Sequence, residues 1–247
     1  MADADSLKQN LTIAEISPSK LLEAATPRSL DEWQIAPQLW DAVRFEVDHR
    51  DEMRQFILTG SAVPANTDKI VHTGTGRFSW LKMRTMSLYE SNESSDEVSL
   101  EDLFNRNDNV FGNSSMDIDK LTYLICRGCW PKAIDLDKDI ALDQALDYFD
   151  EVSRNPERMK RIIRSLSRHQ GSQVSNQVIK DDIYINDSTN IDTDTIVSYV
   201  NALKKIFVVE DMPAWNPNLR SKTAIRTSDI RYFSDPCYRL RCYGNWT

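Results

Sequence analysis

Two short apolar runs flank one amphipathic stretch near the start of the chain, and that order constrains the fold more than any other feature. Arg28-Ser29-Leu30-Asp31-Glu32 reads as a short strand ending in acids. Gln38 to Arg50 (QLWDAVRFEVDHR) places Leu39, Val43 and Val47 at helical spacing, with Trp40 and Ala42 beside them. Gln55 to Ser61 (QFILTGS) reads as a buried parallel strand, apolar on both faces and closed by small polar residues. Strand, helix, strand is a βαβ unit, so the expected fold class is α/β.

Ahead of this unit, residues 1–26 show weak apolar signals (Leu11, Ile13, Ile16, Leu21, Leu22) without a strong period. After it, a Gly-bracketed turn between Val71 and Glu90 leads to an expected strand around Phe78 to Met83. Glu90 to Lys120 carries nine acids against Arg106 and Lys120, which predicts a solvated loop with one short helix near Leu100 to Phe104. Leu121 to Cys126 is apolar and fits helix or strand.

The last third is mostly helical. Leu142 to Val152 is one helix, and Asn155-Pro156 marks the start of another, an N-cap with proline at the first turn. That helix buries Met159, Ile162, Ile163 and Leu166, spaced i, i+3, i+4, i+7. Val174 to Ile183 is a shorter helix. Asp192 caps a third, with Ile196, Val200, Leu203 and Phe207 inward, and Phe207-Val208-Val209 opens a strand that stops before Pro213. Three helices and a β-ribbon make the pattern of a winged helix-turn-helix.

Composition narrows the function classes. The net charge of −8 and pI of about 5.0 advertise neither nucleic acid nor an anionic membrane surface. No apolar run approaches the roughly 20 residues of a membrane span. The acidic, polar start MADADSLKQN is unlike a signal peptide, and four cysteines without a framework of spacings fit a reduced cytoplasm. Cys126-x-x-Cys129 has no second pair and no nearby His, so metal binding is not expected of it. No G-x-x-x-x-G-K-[ST] occurs in the sequence, so no phosphate-cradling loop is found.

The motifs, taken in order, are PRSLDEWQ, LWDAVRFEVD, FILTGSAVP, HTGTGRFSWLKMRTMSLYES, CRGCWP and ALKKIFVVEDMPAWNPNLRSKTAIRTSDIRYFSDP. Together, over about residues 18–236, they resemble the prokaryotic AAA-type ATP-binding proteins that carry a C-terminal domain of unknown function. The resemblance implies ATP and Mg²⁺ as ligands. It makes Asp31 the Walker B aspartate that holds the metal and Glu32 the acid that orients the attacking water. Thr59 and Ser61 then stand where such proteins sense the γ-phosphate, and Arg77 is a candidate to reach a phosphate in its own or a neighbouring subunit of a homo-oligomer. Ser29 departs from the family's apolar strand residue, an expected weakening of roughly 1–3 kcal/mol if its hydroxyl is buried without a partner. Cys129 departs from a family glycine.

This places a partial AAA-type P-loop parallel-sheet domain in residues 1–141, lacking Walker A, and a winged helix-turn-helix region in 142–236. Residues 237–247 (CYRLRCYGNWT) read as an unrelated tail. Read one base later through permitted codons, the tail gives an Ala/Gly-rich helix start, as after a frameshift. The resulting expectation is a truncated ATP-binding protein with impaired or no hydrolysis. The alternatives are a nucleic-acid or protein-binding module resting on the winged helix, or a non-functional fragment prone to aggregate. Outside the aligned motifs, Asp31-Glu32 reads as an exposed acidic pair, and Thr59, Ser61 and Arg77 as a strand end and a turn arginine. Arg44 and Arg84 read as salt-bridging residues. Arg154, Arg158, Lys160, Arg161, Arg164 and Arg168 form a basic helix face able to meet phosphates, with a solvated face the favoured reading. Thr195, Ser198, Asn201, Lys204 and Lys205 point outward where a helix-turn-helix reads bases.

Overall fold

The computed structural model describes residues 4–50, 52–63, 75–105, 110–152, 157–213 and 229–241. The chain is a mixed helix-and-sheet protein that divides into two compact units, Met1–Lys82 and Met83–Thr247.

In the first unit, helix α1 (Ala4–Ile16) and a 3₁₀ turn (Pro18–Leu22) precede strand β1 (Arg28–Leu30), a second 3₁₀ turn (Trp33–Ile35), helix α2 (Leu39–Arg50) and strand β2 (Phe56–Leu58). The weak period of residues 1–26 thus hides a helix, because among the described side chains of α1 Ala14 alone is fully buried. Its partners are Ala36 and Leu39, with Leu11 and Leu21 packed around them. β1 and β2 pair in parallel with Ser29 opposite Ile57, as the βαβ reading requires. Burial on both faces does not follow, since Ile57 is 56% exposed and Ser29 shares its open face. The expected penalty at Ser29 therefore has no basis, because its hydroxyl stays solvated. The strand expected around Phe78 to Met83 is absent: Trp80, Leu81 and Met83 lie in irregular backbone with exposed side chains.

In the second unit, α3 (Leu100–Phe104) and α4 (Ile118–Arg127) are capped by Ser99 and Asp117, whose side chains accept from Asp102 N and Lys120 N. A 3₁₀ turn (Pro131–Asp135) leads to α5 (Lys138–Val152). Then come α6 (Glu157–Arg168), β3 (Ser172–Gln173), α7 (Asn176–Asp187), α8 (Thr193–Lys205), β4 (Val209–Met212), β5 (Ile230–Phe233) and α9 (Cys237–Arg241). The expected cap at Asn155-Pro156 lies outside the described residues. The sheet is antiparallel in the order β3-β5-β4. One continuous core joins Met159, Ile162, Ile163 and Leu166 of α6 to Ile179 and Ile183 of α7 and to Ile196, Val200 and Leu203 of α8. Phe207 is not inward: it sits in left-handed backbone (φ 59°) and is 38% exposed, so Val208 takes the buried place instead. Cys237 and Tyr238, at the start of the stretch that reads as a foreign tail, are buried, and Tyr238 belongs to this core.

Candidate functional site

Because β1 and β2 run parallel in register, with Leu30 opposite Leu58, the residues that follow them emerge side by side. Asp31-Glu32 leaves β1 next to Thr59-Gly60-Ser61 leaving β2. Backbone bonds fasten the two exits, from Thr59 N to Leu30 O at 3.0 Å and from Trp33 N to Thr59 O at 3.2 Å. Glu32 takes a left-handed conformation, φ 55° and ψ 36°. For a non-glycine residue this costs about 1–3 kcal/mol, and such strain gathers at functional sites. The turn it makes drives Trp33 inward, where its ring lies 5.3 Å from Trp40. Trp40 in turn stacks on Phe78 at 3.8 Å. The acidic pair is thus anchored from behind by an aromatic cluster.

Side chains complete the arrangement. Thr59 Oγ1 donates to Asp31 Oδ1 at 2.6 Å. Ser61 Oγ donates to Glu32 Oε2 at 3.2 Å, and Gln34 Nε2 donates to the same carboxylate and to Ser61 Oγ at 3.4 Å. Asp31, Glu32, Thr59 and Ser61 are therefore brought together. Arg77 is not among them: its Nε donates to Asp48 Oδ1 at 2.8 Å, and Arg44 lies 3.7 Å from the same carboxylate. The Arg77 hydrogen bond holds the Asp48 carboxyl below its ordinary value.

Two members of this site were not singled out from the sequence. Gln34 occupies one carboxylate oxygen of Glu32. Gly60 makes room for it, since a Cβ there would stand 2.1 Å from Gln34 Oε1. A glycine between two hydroxyl residues at a strand end was the available signal for Gly60; nothing marks Gln34 beyond its place at the end of PRSLDEWQ. Among the described residues, no group of three or more His, Cys, Asp or Glu is arranged to hold a metal by itself. A divalent cation at Asp31 would take its remaining ligands from water and a bound phosphate, the usual pattern for Mg²⁺.

In the second unit the motifs CRGCWP and SDP meet. Buried Asp235 accepts Cys129 N at 2.8 Å through Oδ2 and Cys237 N at 2.9 Å through Oδ1. Gly128 (φ 76°) passes so close that a Cβ would lie 2.9 Å from Asp235 Oδ1. Arg127, 3% exposed, makes a two-pronged bond to Glu93 at 3.0 Å and 3.0 Å. Burial pushes the Glu93 carboxyl up, but Ser91 and Arg127 outweigh it and leave the value lowered. Burial and then Asp235 raise the Cys129 thiol to about 11, and burial raises Cys237 as well. Both are held toward the thiol form by their surroundings.

The outward face expected of α8 is only weakly basic. Ser198, Asn201 and Lys205 are exposed, but Lys204 is tied to Asp211, which also accepts Arg231 Nε at 3.0 Å. Arg84 pairs with Glu210 at 2.7 Å and Arg168 with Asp182. No described helix is long and apolar enough to cross a membrane.

A family model described as Domain of unknown function (DUF8612) matches residues 118–241, half of the chain, and the chain belongs to that family. No curated protein matches it.

Proposed function

We propose that this member of the DUF8612 family binds Mg²⁺–nucleotide through the first unit, as the AAA-type resemblance implies. One observation carries the reading: the acidic pair and the Thr59–Ser61 pair leave adjacent parallel strands and are hydrogen-bonded to each other, Thr59 to Asp31 at 2.6 Å. In a P-loop protein the metal-holding acid and the γ-phosphate sensor stand on neighbouring parallel strands for this reason. The strained backbone at Glu32 supports the same reading. Mg²⁺, when bound, offsets the charge of the β- and γ-phosphates. Asp31 holds the ion, Thr59 orients Asp31 and meets the phosphate, and Glu32 positions water once Gln34 lets go of it. The phosphate cradle of the AAA-type proteins that this chain resembles is not found in these 247 residues, so the proposal is binding and does not extend to hydrolysis. Isothermal titration with Mg²⁺–ATP tests it. Measurable heat that disappears in Asp31→Asn is the expected result, and either no heat or heat indifferent to that substitution would sink the idea.

A second reading rests on the order α6-β3-α7-α8-β4-β5 with sheet order β3-β5-β4, which supports a winged helix. On this reading Ser198, Asn201 and Lys205 of α8 face a nucleic acid. Salt-dependent retention of duplex DNA that falls when these three become Ala is its signature.

A further inference from the structure

Charge is unevenly placed in the second unit. Residues 83–156 hold 16 acidic and 7 basic residues, whereas residues 157–247 hold 14 basic and 10 acidic. Two helices concentrate the difference. On α5, Asp139, Asp143 and Asp147 recur every fourth residue, so they form one exposed row about 12 Å long. On α6, Lys160 and Arg164 stand about one turn apart with Arg161 beside them; Arg164 is exposed, Lys160 and Arg161 are half-buried, and Glu157 and Arg158 are exposed at the helix start. The opposite face of α6 is enclosed, including Ser165 and Ser167. None of the six side chains in the two rows has an ion-pair or hydrogen-bond partner among the described residues, although neighbouring Arg168 is held by Asp182.

We propose that the two rows are halves of one self-association surface, the acidic row of α5 in one copy lying along the basic row of α6 in another. The rows suit each other in sign, and Lys160 and Arg164 repeat the four-residue step of about 6 Å found along the acidic row. Neither is neutralised by another side chain among the described residues. Ile140, 53% exposed on α5 beside the acidic row, gives the contact an apolar patch to bury. Exposed ion pairs are individually weak and are screened over about 8 Å at physiological salt, so the association is weak and salt-labile.

Analytical ultracentrifugation of the full chain over a concentration series, at low and at high salt, tests this without any substitution. The expected result is a weight-average mass that climbs above 28.4 kDa with concentration at low salt and returns to it at high salt. Lys160→Glu/Arg164→Glu and Asp139→Lys/Asp143→Lys are each expected to stay monomeric alone and to associate when mixed, because the reversed rows again complement one another. Wild-type chain that remains at 28.4 kDa throughout would overturn the proposal. So would a mixture that fails to associate, or association unmoved by either variant. Duplex DNA binding lost in Lys160→Glu/Arg164→Glu, with wild-type chain monomeric, would assign the basic row to nucleic acid instead.

Discussion

The two units use their residues in opposite ways. The first has a parallel sheet of two three-residue strands, one face of which carries exposed Ile57, and a small core around Ala14, Ala36 and Leu39. Leu22, Val43 and the Trp33–Trp40–Phe78 cluster add to that burial, and polar side chains clasp across the strand ends. The second binds three helices and a sheet through one core of 15 buried residues, from Met159 to Tyr238. Where burial is plentiful, polar groups such as Asp235 and Arg127 are shut in and spent on internal hydrogen bonds. Where burial is thin, the carboxylates are reachable. Stability and candidate chemistry have been separated along the chain.

Substitutions can break that contrast in order of size. Arg127→Ala in the second unit strips a buried partner from Glu93 and is expected to cost about 3–5 kcal/mol, measured as a fall in the urea midpoint. A loss under 1 kcal/mol would show that Glu93 reaches solvent when left alone. Ile162→Ala, wholly buried, should cost about 2–5 kcal/mol through the cavity it leaves, and should remove the cooperative transition of the second unit before that of the first. Cooperative loss of both together would erase the distinction between the units.

Acid sharpens the comparison next. Burial raises the Asp211 carboxyl, but Lys204 and Arg231 outweigh it, so its folded value lies below the unfolded one. The stability it supplies is therefore present above the unfolded carboxylate range and lost as pH falls through the folded value. Asp211→Asn should lower stability at neutral pH by about 1–2 kcal/mol and flatten the acid limb of a pH series. An unchanged acid limb would remove Asp211 from the account. In the first unit, Gly60→Ala should shift stability by less than about 1 kcal/mol, since the colliding atom ends a flexible side chain, yet it displaces Gln34 from Glu32. The readout is Mg²⁺–ATP titration, where a changed affinity with an unchanged melt is expected. Ser29→Val closes the series at under about 0.5 kcal/mol, because position 29 is exposed.

How much of this was readable in the chain depends on which force fixed each element. The α6 spacing of Met159, Ile162, Ile163 and Leu166 announced a buried face because a helix in a deep core must repeat every 3.6 residues. The parallel β1–β2 pair was legible for a similar reason, a helix between two apolar runs. Burial of that pair was overread: apolar residues on both faces allow a covered strand without supplying a cover. The strand expected at Phe78 to Met83 failed because its apolar residues serve elsewhere, Phe78 stacking on Trp40 and Trp80 lying 5.5 Å from it. At the candidate site, Asp31, Glu32, Thr59 and Ser61 were visible as types at strand ends. Gln34 was not, since amide-to-carboxylate contacts depend on a left-handed turn at Glu32 that no residue type announces. Phe207 was missed likewise, its turn handing the core position to Val208.

Asp235 has a consequence for the order in which the second unit forms. Its carboxylate binds backbone N–H groups at positions 129 and 237, and the first of these is separated from it by 106 residues. During synthesis α4 and the Gly128 turn emerge long before the group that secures them. Four described helices, α5 to α8, and the three strands β3 to β5 are made in the interval. The Gly128 region therefore lacks this clasp until Asp235 has been made, and a chain ended at residue 228 should show it more accessible to protease than the full chain.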